Sequence, residues 1–172
     1  MTTHCRSCVS DDDFAKASLF LLAHKRDLHP SYTTLEMVTL IYSYVTQGRL
    51  ICCIADDDQR IAGVAAYYQG TPEQEFKDRD VASLDAAIMA KAYRGSRLFV
   101  QGLQYMLNTI IENHPEVREL KLAALAENDY LCRLYSKFAP PQSVREGTHG
   151  KEIVFCEKIN TVRDTLKKFT RV

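Results

Sequence analysis

The chain has 172 residues, of which 46% are hydrophobic and 26% are charged, a composition that suits one globular domain. Its 22 lysines and arginines balance 22 aspartates and glutamates, so no global charge draws it towards nucleic acid or an anionic membrane surface. No apolar run approaches the roughly 20 residues that cross a bilayer, and no secretory signal is visible, so we expect a cytoplasmic protein.

The cysteines are consistent with that compartment. Cys5 and Cys8 form one C-x-x-C motif, but no second such pair supplies the remaining ligands of a structural zinc site. We therefore expect no metal. A reducing cytosol would keep the four cysteines of the apolar segments as buried thiols, namely Cys52, Cys53, Cys132 and Cys156.

The first half of the chain predicts a strand, two helices and a hairpin. The strand Thr3–Val9 precedes Ser10, whose hydroxyl is expected to cap a helix with three aspartates in its first turn. A second helix is predicted over residues 33–46. Its apolar side is expected to consist of Leu35, Val38, Ile41, Tyr42 and Val45. The strands Arg49–Ala55 and Arg60–Gln69 follow as a hairpin around an acidic turn.

The second half alternates strands with helices. The predicted elements, in chain order, are a strand over 81–90, a helix over 97–113, a strand over 120–125, a helix over 128–138, a hairpin of 143–146 with 152–158, and a helix from 160 onwards. This order predicts an α/β fold with a mixed, mostly antiparallel central sheet and helices on both faces. We expect one domain over residues 1–159, with residues 160–172 as a helix packed on that domain or extending it.

Two local strings, taken with this order, resemble the GNAT superfamily of acetyl-CoA-dependent N-acyltransferases. The first string, AIMAKAYRGSRLF, leads from a strand into a long helix, where the family carries R/Q-x-x-G-x-G/A. Main-chain N–H groups of this loop and of the helix N-terminus bind the coenzyme A pyrophosphate in the family. Arg94 matches the first motif position, whereas Arg97 and Phe99 replace the two small residues. The resemblance implies coenzyme contacts from Arg94, Gly95, Ser96, Arg97, Leu98 and Phe99.

The second string, AENDYLCRLYSKFAPP, resembles the family pattern N-x-x-A-x-x-L-Y-x-K-x-G-F. The resemblance implies that Asn128 contacts the pantetheine arm of acetyl-CoA and that Tyr135 protonates the departing thiolate. A neutral phenol suits that role because it carries an O–H that a basic thiolate can accept. Tyr135 also lies four residues after Leu131 on a helix face, so a buried core tyrosine is the alternative interpretation.

A carboxylate, Asp85, stands nine residues ahead of the motif arginine, where the family often has one. Strand alternation places Asp85, Ala87 and Met89 on one face. The resemblance implies that Asp85 accepts the amine proton, directly or through a water, and that the strand near Ala87 and Met89 pairs with the pantetheine amides. The alternatives are a water chain in place of a base, and a structural carboxylate paired with Arg60, Arg79 or another basic group.

The sequence therefore predicts an acetyl-CoA-dependent N-acetyltransferase that acetylates a primary amine by direct attack in a ternary complex. We expect a small-molecule or peptide amine as acceptor and no nucleic acid or membrane partner, with a homodimer as an option that rests on fold analogy. The alternative is a catalytically silent domain that binds a partner protein or an acyl-CoA in regulation, suggested by Arg97 and Phe99. Such a domain would expose an apolar patch, expected on the terminal helix at Val162, Leu166, Phe169 and Val172.

Overall fold

The computed structural model describes residues 2–95 and 97–170, and in this part of the chain the elements follow the predicted order. The strands are β1 (Thr3–Ser7), β2 (Arg49–Ala55), β3 (Ile61–Gln69), β4 (Val81–Met89), β5 (Glu119–Leu125), β6 (Pro141–Gly147) and β7 (Gly150–Lys158). The helices are α1 (Asp11–Leu28), α2 (Thr34–Thr46), α3 (Leu98–Asn113), α4 (Asp129–Ser136) and α5 (Ile159–Thr170). Short 3₁₀ turns occupy Pro72–Gln74 and Lys91–Tyr93.

The strands form one seven-stranded sheet in the order β1-β2-β3-β4-β5-β7-β6. β4 and β5 pair in parallel, whereas the β1–β2, β2–β3, β5–β7 and β6–β7 pairs are antiparallel. The predicted fold class is confirmed: the chain is an α/β protein with a mixed, mostly antiparallel sheet.

Capping boxes start the first two helices. The Ser10 hydroxyl accepts a hydrogen bond from the Asp13 N–H at 3.1 Å, and the Asp13 carboxylate accepts one from the Ser10 N–H at 3.3 Å. Thr33 and Glu36 make the same reciprocal pair at the start of α2. The acidic run after Ser10 therefore serves the helix N-terminus, as predicted, because each cap satisfies donors that have no partner within the helix.

The chain divides into two compact units, residues 1–68 with 86–106 and residues 69–85 with 107–172. In the first unit, α1 and α2 pack against each other and on β2. The predicted apolar side of α2 is wrong, since its buried residues are Met37 and Tyr44. Tyr44 lies in this core because its ring packs 5.8 Å from that of Tyr68, whose hydroxyl is 2.6 Å from Ser43 Oγ. The exposed side of α2 includes Leu35 (76%), Val38 (47%), Tyr42 (70%) and Val45 (41%).

In the second unit, α4 and α5 pack on β5 and β7. The terminal helix α5 buries two residues of the expected apolar patch, whereas Phe169 is 41% exposed. Val162 and Leu166 are buried, and the Phe169 ring packs 5.4 Å from that of Phe138. Val172, the fourth residue of that expectation, lies outside the described residues.

The cysteines of β1 and β2 are not all reduced, which corrects the expectation of free thiols. Cys5 and Cys53 are register partners and form a disulfide. Cys8 and Cys52 are free, with their sulfur atoms 3.3 Å apart. Because neighbouring residues of a strand point to opposite faces, the two pairs lie on different faces of the sheet and cannot share one metal ion.

No group of three or more His, Cys, Asp and Glu side chains among residues 2–95 and 97–170 could hold a metal. Over the same residues, no helix has both the length and the apolar character needed to span a membrane.

Candidate active site

Main-chain hydrogen bonds, one of them to β3, fix the loop that precedes α3 in the first unit. The Ala90 N–H donates to the Ala62 carbonyl at 2.9 Å, and the Tyr93 N–H donates to the Ala90 carbonyl at 2.9 Å. Gly95 adopts a positive φ of 78°, and a Cβ there would meet no atom within 4 Å. The backbone conformation alone therefore favours glycine at this turn into the helix.

α3 begins at Leu98. In the first turn of this helix the Gln101 N–H donates a hydrogen bond to the Arg97 carbonyl. The first amides of a helix have no carbonyl partner within it, so they can serve an anion. Arg97 is exposed, whereas Leu98 and Phe99 are buried, at 4% and 8% exposure. The Phe99 side chain thus belongs to the core and not to the solvent side of the helix start. Ser96, also predicted to contact the coenzyme, lies outside the described residues.

Arg94 is engaged within the same unit. Its Nη2 lies 3.4 Å from Asp27 Oδ2 near the end of α1, and its side chain is 36% exposed. Ala87 and Met89 of β4 are buried at 9% and 7% exposure, so their side chains fill the core. Their roles towards a coenzyme stay predictions.

Asp85 and Tyr135 both belong to the second unit and act on each other electrostatically. Tyr135 is 1% exposed, and its ring packs edge-on against Phe155 with centroids 6.1 Å apart. Burial raises the pKa of the Tyr135 phenol well above its usual value, and the negative charge of Asp85 raises it further. The phenol therefore keeps its proton at neutral pH. The core interpretation of Tyr135 and the acid interpretation are compatible, because this side chain is both packed and protonated.

Asp85 lines a pocket of about 240 Å³ that lies wholly within the second unit. Its floor is one face of the sheet, on which Ser83 is the register partner of Lys121, and Val154 pairs with both Ala123 and Ser143. Asp85 shares this face with Ser83 by strand alternation. Phe155, which contacts Tyr135, faces the other way from Val154. Asp85 and Tyr135 thus approach this part of the sheet from its two faces.

The loop before β4 forms one wall of the pocket and is tightly held. The Asp78 carboxylate accepts hydrogen bonds from the Thr71 N–H and hydroxyl, both at 2.7 Å. Gly70 has a φ of 87°, and a Cβ there would lie 2.8 Å from Phe76 Cα, so only glycine fits. Hydrogen bonds and close backbone packing therefore fix the conformation of this wall.

Arg145 supplies the cation beside Asp85. Its Nε donates to Glu152 at 2.7 Å, and its Nη1 contacts the carboxylate of Glu73. Burial lowers the pKa of Arg145, but the hydrogen bond to Glu152 and the charges of Glu152, Glu73 and Asp85 outweigh it and raise the pKa. The predicted alternative partner Arg79 donates instead to Gln69, at 3.2 and 2.6 Å.

Asn128 is the N-cap of α4. Its side-chain oxygen accepts a hydrogen bond from the Leu131 N–H at 3.1 Å. This contact gives the residue a structural role that sequence reasoning did not foresee. Its contact with a pantetheine arm stays a prediction.

Sequence reasoning missed Lys121, Arg145 and Glu73 as pocket residues. Lys121 is a charge inside the apolar run LKLAAL, which is a signal that one strand face is polar. Arg145 and Glu152 have opposite charges and could have been paired from the hairpin around GTHG. Glu73 gave no signal, because its position depends on the fold of a loop.

The sequence profile of the Acetyltransferase (GNAT) family matches residues 19–139, which is more than half of the chain. The chain belongs to this family, as the sequence motifs predicted. No protein in a search of curated sequences matches it significantly.

Solved structures show the same fold at low identity. A GNAT-family acetyltransferase from Streptococcus pneumoniae has a TM-score of 0.66 at 15% identity, covering 91% of this chain and 99% of that one. Arabidopsis thaliana NAA60, in complex with acetyl-CoA, has a TM-score of 0.68 at 14% identity, covering 92% and 99%. The aminoglycoside acetyltransferase AAC(6')-Ib, in complex with coenzyme A, has a TM-score of 0.69 at 15% identity, covering 98% and 99%.

Proposed function

We propose that this chain is an acetyl-CoA-dependent N-acetyltransferase that acetylates a primary amine by direct attack. The observation that carries the proposal is the pair formed by Tyr135 and Asp85, a protonated buried phenol and a carboxylate at a pocket. Acyl transfer from a thioester to an amine needs an acid for the departing thiolate and a base for the amine, and these two side chains, which influence each other electrostatically, are the groups of the second unit proposed for those roles. Family membership supports acetyl-CoA as the donor.

The coenzyme is proposed to meet the first unit at Arg94, Gly95 and the start of α3. Unpaired helix amides and the positive end of the helix dipole favour a pyrophosphate, and Arg94 and Arg97 add positive charge. The burial of Phe99 supports this role, because its ring does not crowd the solvent side of the helix. The main chain near Ala87 and Met89 is proposed to pair with the pantetheine amides, and Asn128 to contact the same arm.

The proposed reaction is a single acyl transfer. The nitrogen of the neutral amine attacks the thioester carbonyl carbon, a C–N bond forms, and the C–S bond breaks. Asp85, directly or through a water, accepts the proton that the nitrogen sheds, and Tyr135 gives its phenolic proton to the coenzyme thiolate. Solvent then returns Asp85 and Tyr135 to their starting states. The products are an N-acetyl amide and coenzyme A.

The test compares Tyr135→Phe and Asp85→Asn with the parent protein. Tyr135→Phe should lower kcat by about 100-fold or more because it removes the acid, while the Kd of acetyl-CoA stays unchanged. The matched control is Tyr130→Phe, which removes a hydroxyl from a side chain that is 38% exposed. Calorimetric titration gives the Kd, and release of free thiol gives kcat. A double variant that turns over as fast as the parent would overturn the proposal.

Two features of the structure favour the enzyme over the alternative of a silent binding domain. Phe99 is buried, and the terminal helix turns Val162 and Leu166 into the core. Acetyl-CoA at about 100 times its Kd should stabilise the fold by roughly 2.7 kcal/mol. A thermal shift with acetyl-CoA, followed by turnover of an amine, distinguishes the enzyme from a domain that only binds.

A further inference from the structure

Two free thiols lie side by side in the first unit, where β1 leads into α1. Cys8 Sγ is 3.3 Å from Cys52 Sγ, a distance at which one thiol donates a hydrogen bond to the other. The main chain of Cys8 is fixed on β2, because its N–H donates to the Leu50 carbonyl at 2.9 Å. Cys52 lies within β2 as the register partner of Arg6. The pairing of β1 with β2 therefore holds the two sulfur atoms together.

A small movement would join these two sulfur atoms. A disulfide bond is about 2.05 Å long, so the sulfurs need to approach each other by about 1.2 Å. Rotation of two short side chains supplies such an approach without separating the strands. The existing bridge does not compete for Cys52, because Cys53 points to the opposite face of the sheet. The geometry therefore permits a second disulfide beside the first.

Cys52 is the more acidic thiol of the pair. The hydrogen bond from the Cys8 thiol stabilises the Cys52 thiolate and lowers the pKa of Cys52, although burial and the charge of Asp13 act against it. The same hydrogen bond raises the pKa of Cys8. The Arg6 guanidinium, which pairs with Asp13 at 2.8 Å, also favours a thiolate. Because the thiolate is the nucleophilic form, Cys52 is the sulfur that attacks an oxidant.

The other two free cysteines have different surroundings. The Cys132 thiol donates to the Leu125 carbonyl at 3.4 Å, and the Cys156 thiol donates to the Glu119 carboxylate at 3.7 Å. Burial raises the pKa of both thiols. Their thiolates are therefore scarcer than that of Cys52, and we expect both to react more slowly with an oxidant.

The exposure of the pair selects a small oxidant. Cys52 is 3% exposed, whereas Cys8 is half-buried and gives solvent partial access to the pair. A molecule of the size of hydrogen peroxide reaches Cys52 more readily than a bulky disulfide reagent does. The chemical class that fits this site is therefore a small hydroperoxide.

We propose that Cys8 and Cys52 are an oxidation site, at which a hydroperoxide converts the two thiols into a second disulfide. The Cys52 thiolate attacks one peroxide oxygen, the O–O bond breaks, and Cys52 becomes a sulfenic acid. The departing hydroxide takes up the proton that Cys52 had released. The Cys8 sulfur then attacks the Cys52 sulfur, an S–S bond forms, the S–O bond breaks, and the Cys8 proton leaves in a water molecule. Two thiols and one hydrogen peroxide thus give one disulfide and two waters.

Peptide mapping of the whole protein tests this proposal. Trypsin places the cysteines of the two pairs in three peptides, residues 1–6, 7–16 and 50–60. Without peroxide, peptide 7–16 should be alkylated and unlinked. After a few equivalents of hydrogen peroxide and alkylation of the remaining thiols, mass spectrometry should find it joined to peptide 50–60, and dithiothreitol should release it. A peptide 7–16 that stays unlinked after peroxide overturns the proposal, as does earlier oxidation of Cys132 or Cys156.

Cys52→Ala tests the assignment of the nucleophile. Peptide 7–16 should then stay unlinked after peroxide, while peptide 1–6 stays joined to peptide 50–60 through Cys53 and shows that the variant folds. The matched control is Cys132→Ala, which removes a free cysteine outside the pair and should oxidise like the parent. A link from peptide 7–16 that forms equally well in Cys52→Ala contradicts the assigned pair.

Thermal unfolding gives a second test, because the two bridges close nearly the same loop. Cys8 and Cys52 are 44 residues apart, and Cys5 and Cys53 are 48 apart. In a Cys5→Ser and Cys53→Ser double variant, the second bridge alone closes the loop, so peroxide should raise the Tm by roughly 8–16 °C. In the parent the first bridge already constrains the unfolded chain, so the rise should be about half as large. No rise in the double variant would overturn the proposal.

Discussion

Asp27 holds Arg94 through an ion pair, with Asp27 Oδ2 lying 3.4 Å from Arg94 Nη2. The same carboxylate oxygen lies 3.1 Å from Nδ1 of His24, one turn earlier in α1. The arginine that is proposed to meet the pyrophosphate is thus already paired with an anion. An incoming pyrophosphate has to compete with Asp27 for this guanidinium.

Asp27→Asn should therefore tighten coenzyme A binding. The ion pair is partly exposed, so its removal is expected to lower the Kd by about two- to fivefold. Asp27 also lies near the C-terminus of α1, where a negative charge is unfavourable, so the variant should fold normally. Calorimetric titration with coenzyme A measures the change. Asp12→Asn, which removes an exposed acid of the same helix, should bind like the parent. Weaker binding by Asp27→Asn would mean that Asp27 positions Arg94 for the coenzyme.

The raised pKa of Tyr135 makes stability depend on pH above about 10. The unfolded chain releases the phenolic proton near its ordinary pKa, whereas the folded protein retains it to higher pH. The folded state then binds more protons than the unfolded state, so the stabilising contribution is complete below pH 10 and is lost as pH rises through the folded value.

The difference in free energy of unfolding between the parent and Tyr135→Phe should be constant from pH 7 to 9. It should then shift in favour of the variant between pH 10 and 11. Urea denaturation at each pH measures it. Tyr42→Phe, which alters a 70% exposed side chain of α2, is the comparison and should follow the parent. A difference that does not change up to pH 11 would show that burial does not suppress ionisation of Tyr135.

The Cys5–Cys53 disulfide should stabilise the fold measurably, since it joins residues 48 apart in the sequence. Closing a loop of that size lowers the entropy of the unfolded chain by an amount worth about 4 kcal/mol at room temperature. For a chain of this length, removing the bridge should lower the Tm by roughly 8–16 °C. Scanning calorimetry of a Cys5→Ser and Cys53→Ser double variant measures the change, with Cys132→Ser as the control. If the double variant has the same Tm as the parent under both non-oxidising and oxidising conditions, the bridge does not form in solution.

The two sides of α2 should respond in opposite ways to substitution. Met37→Ala is expected to cost about 2–5 kcal/mol, because Met37 has no exposed surface and its loss leaves a cavity. Leu35→Gln changes a side chain that is 76% exposed and should alter stability by less than about 0.5 kcal/mol. Urea unfolding gives both values. A larger loss from Leu35→Gln than from Met37→Ala would contradict the observed orientation of the helix.

The order of elements was predictable because strands and helices differ in period and because capping residues mark helix starts. Ser10 and Asp13 illustrate this, since their spacing alone signals a helix start. The orientation of α2 was not predictable, because apolar residues occupy more than one side of TLEMVTLIYSYVT. Only the partner of Tyr44 on β3, which is Tyr68, decides which side is buried.

Residues of the candidate site were predictable where they belong to one short sequence motif. Arg94 and Tyr135 each stand in a local motif that the family shares. The pocket was not, because its walls come from segments far apart in the sequence. A hairpin fixes the Arg145–Glu152 pair, but no turn fixes the parallel register that sets Ser83 beside Lys121. The pairing of Ser83 with Lys121 can be identified only from the folded structure.

Gly102 of α3 lies against the disulfide of the sheet. A Cβ at this position would come within 3.3 Å of Cys53 Sγ, which the bond to Cys5 keeps from moving aside. The residues tolerated at positions 53 and 102 are therefore interdependent. Among related chains, a change of Cys53 to alanine would open room for a larger side chain at 102, and a chain that retains both cysteines should retain the glycine. Covariation of positions 53 and 102 among related sequences would therefore be evidence for the disulfide that needs no structure.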